Sequence, residues 1–545
     1  MDLLVPFFLL FAGMILPSMV NAQRSETPFV SKVWSADNGD ETYRNPIIHA
    51  DYSDPDVVRV GEDYYMTASS FNAAPGLPIL HSKDLVNWRL INYVFEEQKP
   101  RDVFGKTQHG GGVWAPSIRF HKGEFYIFYP DPDFGIYMTK TKDPSGKWSE
   151  PLLIKSGKGW IDPSPLWDDD GQAYLVSAFA GSRAGIKTIL IVSKMDPAGT
   201  RLLDDGVLVF DGHDNHPTVE GPKFYKRDGY YYIFAPAGGV ATGWQLVLRS
   251  RNVYGPYEEK IVLAQGKTDI NGPHQGALID TPDGKEWWFV HFQDRGPYGR
   301  IVHLQPAVWK NGFPVIGADP DGDGTGEPVL RFNKPKVGKQ HPIQTVPDSD
   351  EFNDTKIGLQ WQWHANPKVE WAFPFPDRGV LRMNSVQTPD GFKNLWDVPN
   401  LLLQKFPARE FTATAKVSLA PRFEGEKFGL LVMGLDYSYI GVTFKDGKLY
   451  VAQANARDAE KRLPEFENLP FLLASKDFYL RTKVSTDAMY SFSFSTDGKT
   501  FTNVGVPMKA REGKWIGAKI GFFFLRPGKF NDAGTADIDW IRFEK

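Results

Sequence analysis

A chain of 545 residues exceeds what one hydrophobic core usually supports, so two domains are expected. Aromatic residues at 14%, with 52 Gly and 41 Pro, favour short strands joined by many turns over long helices. A net charge of -4 without a concentrated basic stretch argues against a nucleic-acid partner, and the lack of cysteine excludes disulfides and thiolate metal sites.

Residues 3–20, LLVPFFLLFAGMILPSMV, form an apolar run that ends in the small-residue pattern Val20-Asn21-Ala22. This reads as a secretory signal over residues 1–22, cut before Gln23, and predicts an exported, periplasmic or secreted product with no membrane attachment after cleavage. The first residues carry Asp2 and no Lys or Arg, a departure from the usual charged start; a membrane anchor is the alternative, against which Pro6 and Pro17 interrupt the run. Residues 23–41 are polar and weakly patterned, an extended lead-in.

A unit then recurs five times: a key residue, a small or Pro neighbour, an apolar run, a turn with Gly, and an aromatic strand. The copies are DPDVVRVGEDYYMTAS from Asp54, APSIRFHKGEFYIFY from Ala115, DPSPLWDDDGQAYLVSA from Asp162, EGPKFYKRDGYYYIFAP from Glu220 and HQGALIDTPDGKEWWFVHF from His274. The key residues lie 61, 47, 58 and 54 apart, the length of one four-stranded blade each, and no sustained helical period interrupts them. A five-bladed β-propeller over residues 42–330 follows. After it, RFNKPKVGKQHPIQTVPDSD has the composition of a linker, placed at 331–349. From residue 350 to 545, alternating segments such as EFTATAKVSLA and YIGVTFKDGKLYVAQA predict an antiparallel β-sandwich, so the fold class is all-β. Its expected role is to brace the propeller; binding sugar or closing the active-site pocket is the sharper alternative.

In a propeller the innermost strand of each blade starts near the central axis, so matched repeat positions converge at one end of the channel. Asp54, Asp162 and Glu220 are read as occupying matched positions and would meet there. One Asp-Pro dipeptide alone is a common turn opener, but three carboxylates in matched copies are not explained that way. Like charges held together separate their pKa values, and one carboxyl kept protonated beside one kept ionised is what hydrolysis of a glycoside by two carboxylates requires.

The residues NPIIHADYSDPDVVRVGEDYYMTASSF, WAPSI at 114–118, IDPSPLWDDDG and VEGPKFYKRDGYYY resemble glycoside hydrolase family 43, and PGLPILHSKDLVNW resembles its exo-acting β-xylosidase and α-L-arabinofuranosidase branch. The resemblance spans the propeller, and DEFNDTKIGLQWQW at 350–363 resembles the start of the concanavalin-like sandwich that often follows it. It implies that Asp54 is the general base, Glu220 the general acid, and Asp162 the carboxylate that tunes and orients the acid. It also implies substrate-binding positions for Phe71, Trp114, His274 and Arg300, with the Arg300 guanidinium keeping Asp162 ionised.

The expected activity is an inverting exo-glycosidase that releases terminal α-L-arabinofuranose from plant cell-wall polysaccharide or oligosaccharide, because Asn72-Ala73-Ala74 should open the pocket rim to a branched substrate. A β-D-xylosidase, or dual activity, is the alternative; a non-catalytic glycan-binding propeller is the rival from another class. No cofactor is required and no metal is assigned to the site. ADPDGDGTGEP at 318–328 has the alternating Asp of a calcium loop, but position twelve from Asp319 is Leu330, so it is not an EF-hand; it reads as a turn, with structural calcium as the alternative. His274 could centre a water-held cation, but a lone His is more often a hydrogen-bonded structural residue. GGGVW at 110–114 lacks the Lys-Ser or Lys-Thr of a phosphate loop.

Overall fold

The computed structural model describes residues 28–545; the signal segment read over residues 1–22 lies outside the described residues. Among the described residues no helix is long and apolar enough to cross a membrane.

Five four-stranded antiparallel sheets follow one another, each with its strands in chain order, as the repeat predicts. Blade 1 runs from Asp56 to Phe95, blade 2 from Ser117 to Ser156, blade 3 from Trp160 to Asp211, blade 4 from Lys223 to Leu263 and blade 5 from His274 to Ile316. The turn glycine of each repeat joins the first two strands of its blade. Gly61, Gly123, Gly171, Gly229 and Gly284 all have φ between 64° and 84°, which a side chain would strain. The apolar and aromatic runs after these turns become second strands whose residues fill the core between blades, among them Tyr64, Phe128, Val176, Phe234 and Phe289.

The ring closes by side chains and by the chain's early segment. Arg59 of blade 1 reaches Asp280 of blade 5 with two parallel hydrogen bonds, both 2.9 Å. Ile48 bridges Val302, and Thr42–Arg44 pairs antiparallel with Arg331–Asn333. The passage over 331–349 is therefore no free tether. Its start is a strand, Lys334 Nζ sits 2.7 Å from buried Asp37, and Thr345 N–H donates to Phe29 O. Its Lys and Pro composition cannot report partners that lie roughly 290 residues earlier.

The second domain is a sandwich of a nine-stranded and a seven-stranded sheet. The strand Phe411–Ala420 alternates buried and open positions along its length, the signature of one face on the core. Phe428, Leu430, Ile520, Phe522 and Phe524 from one sheet meet Ala413, Ala415, Val417, Leu480, Ile538, Ile541 and Phe543 from the other. This core takes in Tyr298 and Ile301 of blade 5, so the two domains share apolar packing. Polar links add to it: Ala74 and Trp363 exchange backbone hydrogen bonds, Asn72 Nδ2 donates to His364 O, and Asn366 exchanges two bonds with the backbone of Gln98.

The Arg59–Asp280 pair is a two-pronged clasp with both side chains about one-fifth exposed. Arg59→Ala should cost about 1 kcal/mol of stability, and combined with Asp280→Ala it should lose little more than either change alone. Denaturant unfolding of the two single variants and the double checks this; fully additive losses would show that the clasp is not what joins blades 1 and 5.

Candidate active site

The first strands of the blades bring their leading residues to one end of the channel, where a pocket of about 100 Å³ is walled by Asp54, Phe71, Trp114, Ala115, Ile161, Asp162, Glu220, Val240, His274, Gln275, Arg300 and Trp515. All seven sequence-predicted site residues are in that wall. The pocket is small beside the roughly 300–1,000 Å³ of clefts that hold drug-sized ligands, which suits one sugar unit better than a run of them.

The register differs from the repeat as read in one respect. Asp54 and Asp162 each precede a Pro and take φ 56°, whereas in blade 4 it is Gly221, not Glu220, that precedes the Pro and takes φ 59°. Asp56, two residues after Asp54, accepts from Ile118 N, and Ser164, two after Asp162, accepts from Phe224 N. Glu220 thus enters one residue earlier than the two aspartates, and its longer side chain reaches the same pocket. A single sequence, aligned by carboxylates alone, hides this one-residue offset.

Asp54 is buried and surrounded by donors. Its Oδ2 accepts from Ser53 Oγ at 2.7 Å and Ser69 Oγ at 2.5 Å, and Arg300 Nη1 lies 3.2 Å from Oδ1. Arg300 also donates to Ser53 Oγ at 2.7 Å. The guanidinium pairs with Asp54, which corrects the pairing with Asp162 that the resemblance implies; blade 5 neighbours blade 1 in the ring, and Arg300 extends towards that side.

Asp162 is 3% exposed, and its Oδ2 accepts the Gly221 N–H at 2.7 Å. Burial first, and the charge of Glu220 second, push its carboxyl well above the usual aspartate range; the Gly221 N–H and Lys223 pull the other way. Lys223 is fully buried beneath the site and donates to Pro116 O at 3.1 Å and Ser117 Oγ at 3.2 Å. Burial lowers its pKa, while Asp56 and Asp162 raise it. Arg119, bound to Asp56 at 2.5 Å and to Ser164 at 3.0 Å, is a second cation in the same layer. Neither cation stands out in sequence, because a Lys or Arg inside a strand ordinarily faces solvent.

Glu220 is the most open of the three, its side chain 27% exposed, with Oε1 3.1 Å from His274 Nε2. His274 is itself 1% exposed. Phe71, at φ 50°, and Trp114 form one aromatic wall with ring centroids 6.5 Å apart. Trp515 adjoins this wall, its ring meeting Trp114 edge-on at 6.1 Å. Trp515 belongs to the sandwich, so that domain does more than brace the propeller. No local pattern marks it, since its role depends on how two domains meet.

The rim expectation fails on geometry. Asn72, Ala73 and Ala74 are buried, with Asn72 bound to His364 and Ala74 to Trp363 of the sandwich, so their small size opens nothing. Away from the pocket, Asp319, Asp321 and Asp323 bring carboxylate oxygens within 4.8 Å of one another, with Lys310 Nζ 3.0 Å from Asp319.

Comparison with known proteins agrees with this architecture. Residues 43–314 match the model for glycosyl hydrolases family 43, and residues 349–544 match the beta xylosidase C-terminal concanavalin A-like domain. A putative beta-xylosidase of Xylanibacter ruminicola is 40% identical over 90% of this chain and 88% of its own length. A beta-xylosidase of Formosa agariphila is 32% identical over 93% and 91%. A non-reducing end alpha-L-arabinofuranosidase of Bacteroides ovatus is 28% identical over 92% and 95%. Among solved structures, a Bacteroides ovatus xyloglucan-locus protein of the same family superposes with a TM-score of 0.80 at 27% identity, covering 92% of this chain and 99% of its own.

Because the Glu220 charge is, after burial, the next cause that raises the Asp162 pKa, Glu220→Gln should lower the pKa at which Asp162 titrates. Carboxyl-carbon NMR across a pH series reads this directly. An unchanged Asp162 titration would mean that burial alone sets it.

Proposed function

The chain belongs to glycosyl hydrolase family 43 and is an exo-glycosidase, and on that premise we propose that it removes single β-D-xylose units from the non-reducing end of plant cell-wall glycans with inversion at the anomeric carbon. The observation that carries the reading is the pocket itself: one carboxylate ringed by donors, one open carboxyl at the mouth, and a run of aromatic rings in the wall.

Asp54 takes a proton from a water, whose oxygen attacks the anomeric carbon. Every polar neighbour of Asp54 donates to it, which suits a carboxylate that must be ionised before it acts. As the bond to the leaving oxygen breaks, Glu220 delivers its proton to that oxygen, leaving a new hydroxyl on the released glycan. Asp162 accepts the peptide N–H of Gly221, next to Glu220, and so fixes the backbone that presents the acid. Phe71, Trp114 and Trp515 offer flat apolar faces to the CH side of a pentose, while Arg300 and His274 offer donors to its hydroxyls.

Xylose is preferred because two full-length relatives above 30% identity are named beta-xylosidases and the rim thought to admit a branched substrate is closed. Release of α-L-arabinofuranose is the second reading, favoured by the full-length Bacteroides ovatus relative of that name.

Hydrolysis of nitrophenyl xyloside and nitrophenyl arabinofuranoside by the wild type decides the sugar; a larger kcat/KM for the arabinofuranoside overturns the first choice. Glu220→Gln should lower kcat by roughly 10²- to 10⁴-fold on xylobiose and much less on an activated nitrophenyl glycoside, which needs little proton donation. Asp54→Asn should lose activity on both alike. Proton NMR of the first-formed xylose should show the α-anomer, and a β-anomer would make Asp54 a nucleophile instead.

A further inference from the structure

Two walls of the pocket, Arg300 from the propeller and Trp515 from the sandwich, are anchored by one residue with no contact to the pocket. Asp51 is 5% exposed and lies three residues before Asp54. Its Oδ1 accepts the backbone N–H of Arg300 at 2.9 Å, and its Oδ2 accepts the backbone N–H of Gly517 at 2.9 Å. From the first anchor Arg300 extends to Ser53 and Asp54. From the second, two residues back, Trp515 is presented at φ 67°, a backbone angle that a bulky side chain rarely takes without external support. The Arg300 guanidinium lies over the Trp515 ring at 5.8 Å, so the two anchored groups also meet each other.

The packing leaves no slack around this carboxylate. A Cβ on Gly299 would fall 2.5 Å from Asp51 Cγ, and a Cβ on Gly517 would fall 2.6 Å from Gly299 N. Ala518 N–H then donates to Pro297 O at 2.8 Å, which continues the seam. Behind it, Lys405 and Lys519 of the sandwich are buried with pKa values lowered chiefly by burial, to about 7 and about 8, and Asp51 is the anion that raises both. Other interdomain bonds, such as that from Gln362 Nε2 to Pro75 O at 2.8 Å, hold the domains together through residues outside the pocket wall, so adhesion alone does not account for a carboxylate at this point.

We propose that Asp51 is a positioning residue that sets Arg300 and Trp515 against each other across the domain boundary and thereby shapes the sugar pocket. The proposal rests on the glycosidase reading above. Asp51→Asn keeps the size of the side chain but turns one acceptor into an amide NH₂ facing an N–H. It should raise KM about tenfold through Trp515 and lower kcat about tenfold through Arg300. In a Trp515→Ala background the same change should move KM less than about threefold while kcat still falls, because the wall it positions is already gone. Gln362→Ala, which cuts the interdomain link to Pro75, should lower the melting temperature and leave KM and kcat alone. Calorimetric titration with xylose gives a readout without turnover, and Asp51→Asn should weaken binding in the wild-type background and much less in Trp515→Ala. Effects of Asp51→Asn and Trp515→Ala on KM that multiply in full overturn the proposal, as does an Asp51→Asn variant that melts earlier with unchanged kinetics and xylose binding. A wild type that binds xylose but hydrolyses neither glycoside sinks the catalytic reading while the binding comparison still decides the role of Asp51.

Discussion

Asp54, Asp162 and Glu220 come from blades 1, 3 and 4 and cannot all carry full charge in a pocket with little water unless something compensates them. The compensation is distributed unevenly. Asp54 receives a guanidinium and two hydroxyls, Asp162 receives one peptide N–H and a distant ammonium, and Glu220 has only an imidazole and the solvent at the mouth. That inequality gives three similar groups different surroundings, and carboxyl groups in different surroundings are what acid–base catalysis uses. The propeller makes it achievable, because each blade delivers its own backbone and its own neighbours to a common axis.

Below the site the axis is not empty. Lys223, Arg119 and Asp56 form a charged layer whose members are held by backbone groups and hydroxyls of other blades, Lys223 reaching across the axis from blade 4 to blade 2. Removing charged groups from water costs heavily unless they are paired, so this layer binds the blades to each other as it sets the potential of the pocket floor. The same residues thus answer to packing and to chemistry.

The five blades were legible in sequence because each is a local unit: turn glycine, aromatic second strand and key residue all lie within about twenty residues, and hairpin pairing needs nothing else. The pocket carboxylates were legible for the same reason, being attached to that unit. What lay hidden depends on contacts far apart in the chain. The pairing of Arg300 with Asp54 spans 246 residues, the strand pairing of Arg331–Asn333 with Thr42–Arg44 spans nearly 290, and the bond from Gly517 to Asp51 spans 466. The one-residue offset of Glu220 escaped for a different reason: a longer side chain compensates for an earlier start, and alignment on the Pro positions and backbone angles, not on the carboxylates, exposes it.

Trp515 has a consequence for a chain made from one end to the other. The propeller's strands are all present by Ile316, and the segment that closes the ring by Asn333. The sandwich, by contrast, waits on two strands that follow Trp515. Lys519–Arg526 lies inside one sheet, between Leu402–Lys405 and Lys427–Met433, and Thr535–Glu544 lies inside the other, between Val380–Asn384 and Phe411–Ala420. A nascent chain can therefore gather its three carboxylates early, yet it lacks the indole that completes their enclosure until the last strands are made. Closure of the pocket therefore waits on the folding of the sandwich, including the two strands that follow Trp515.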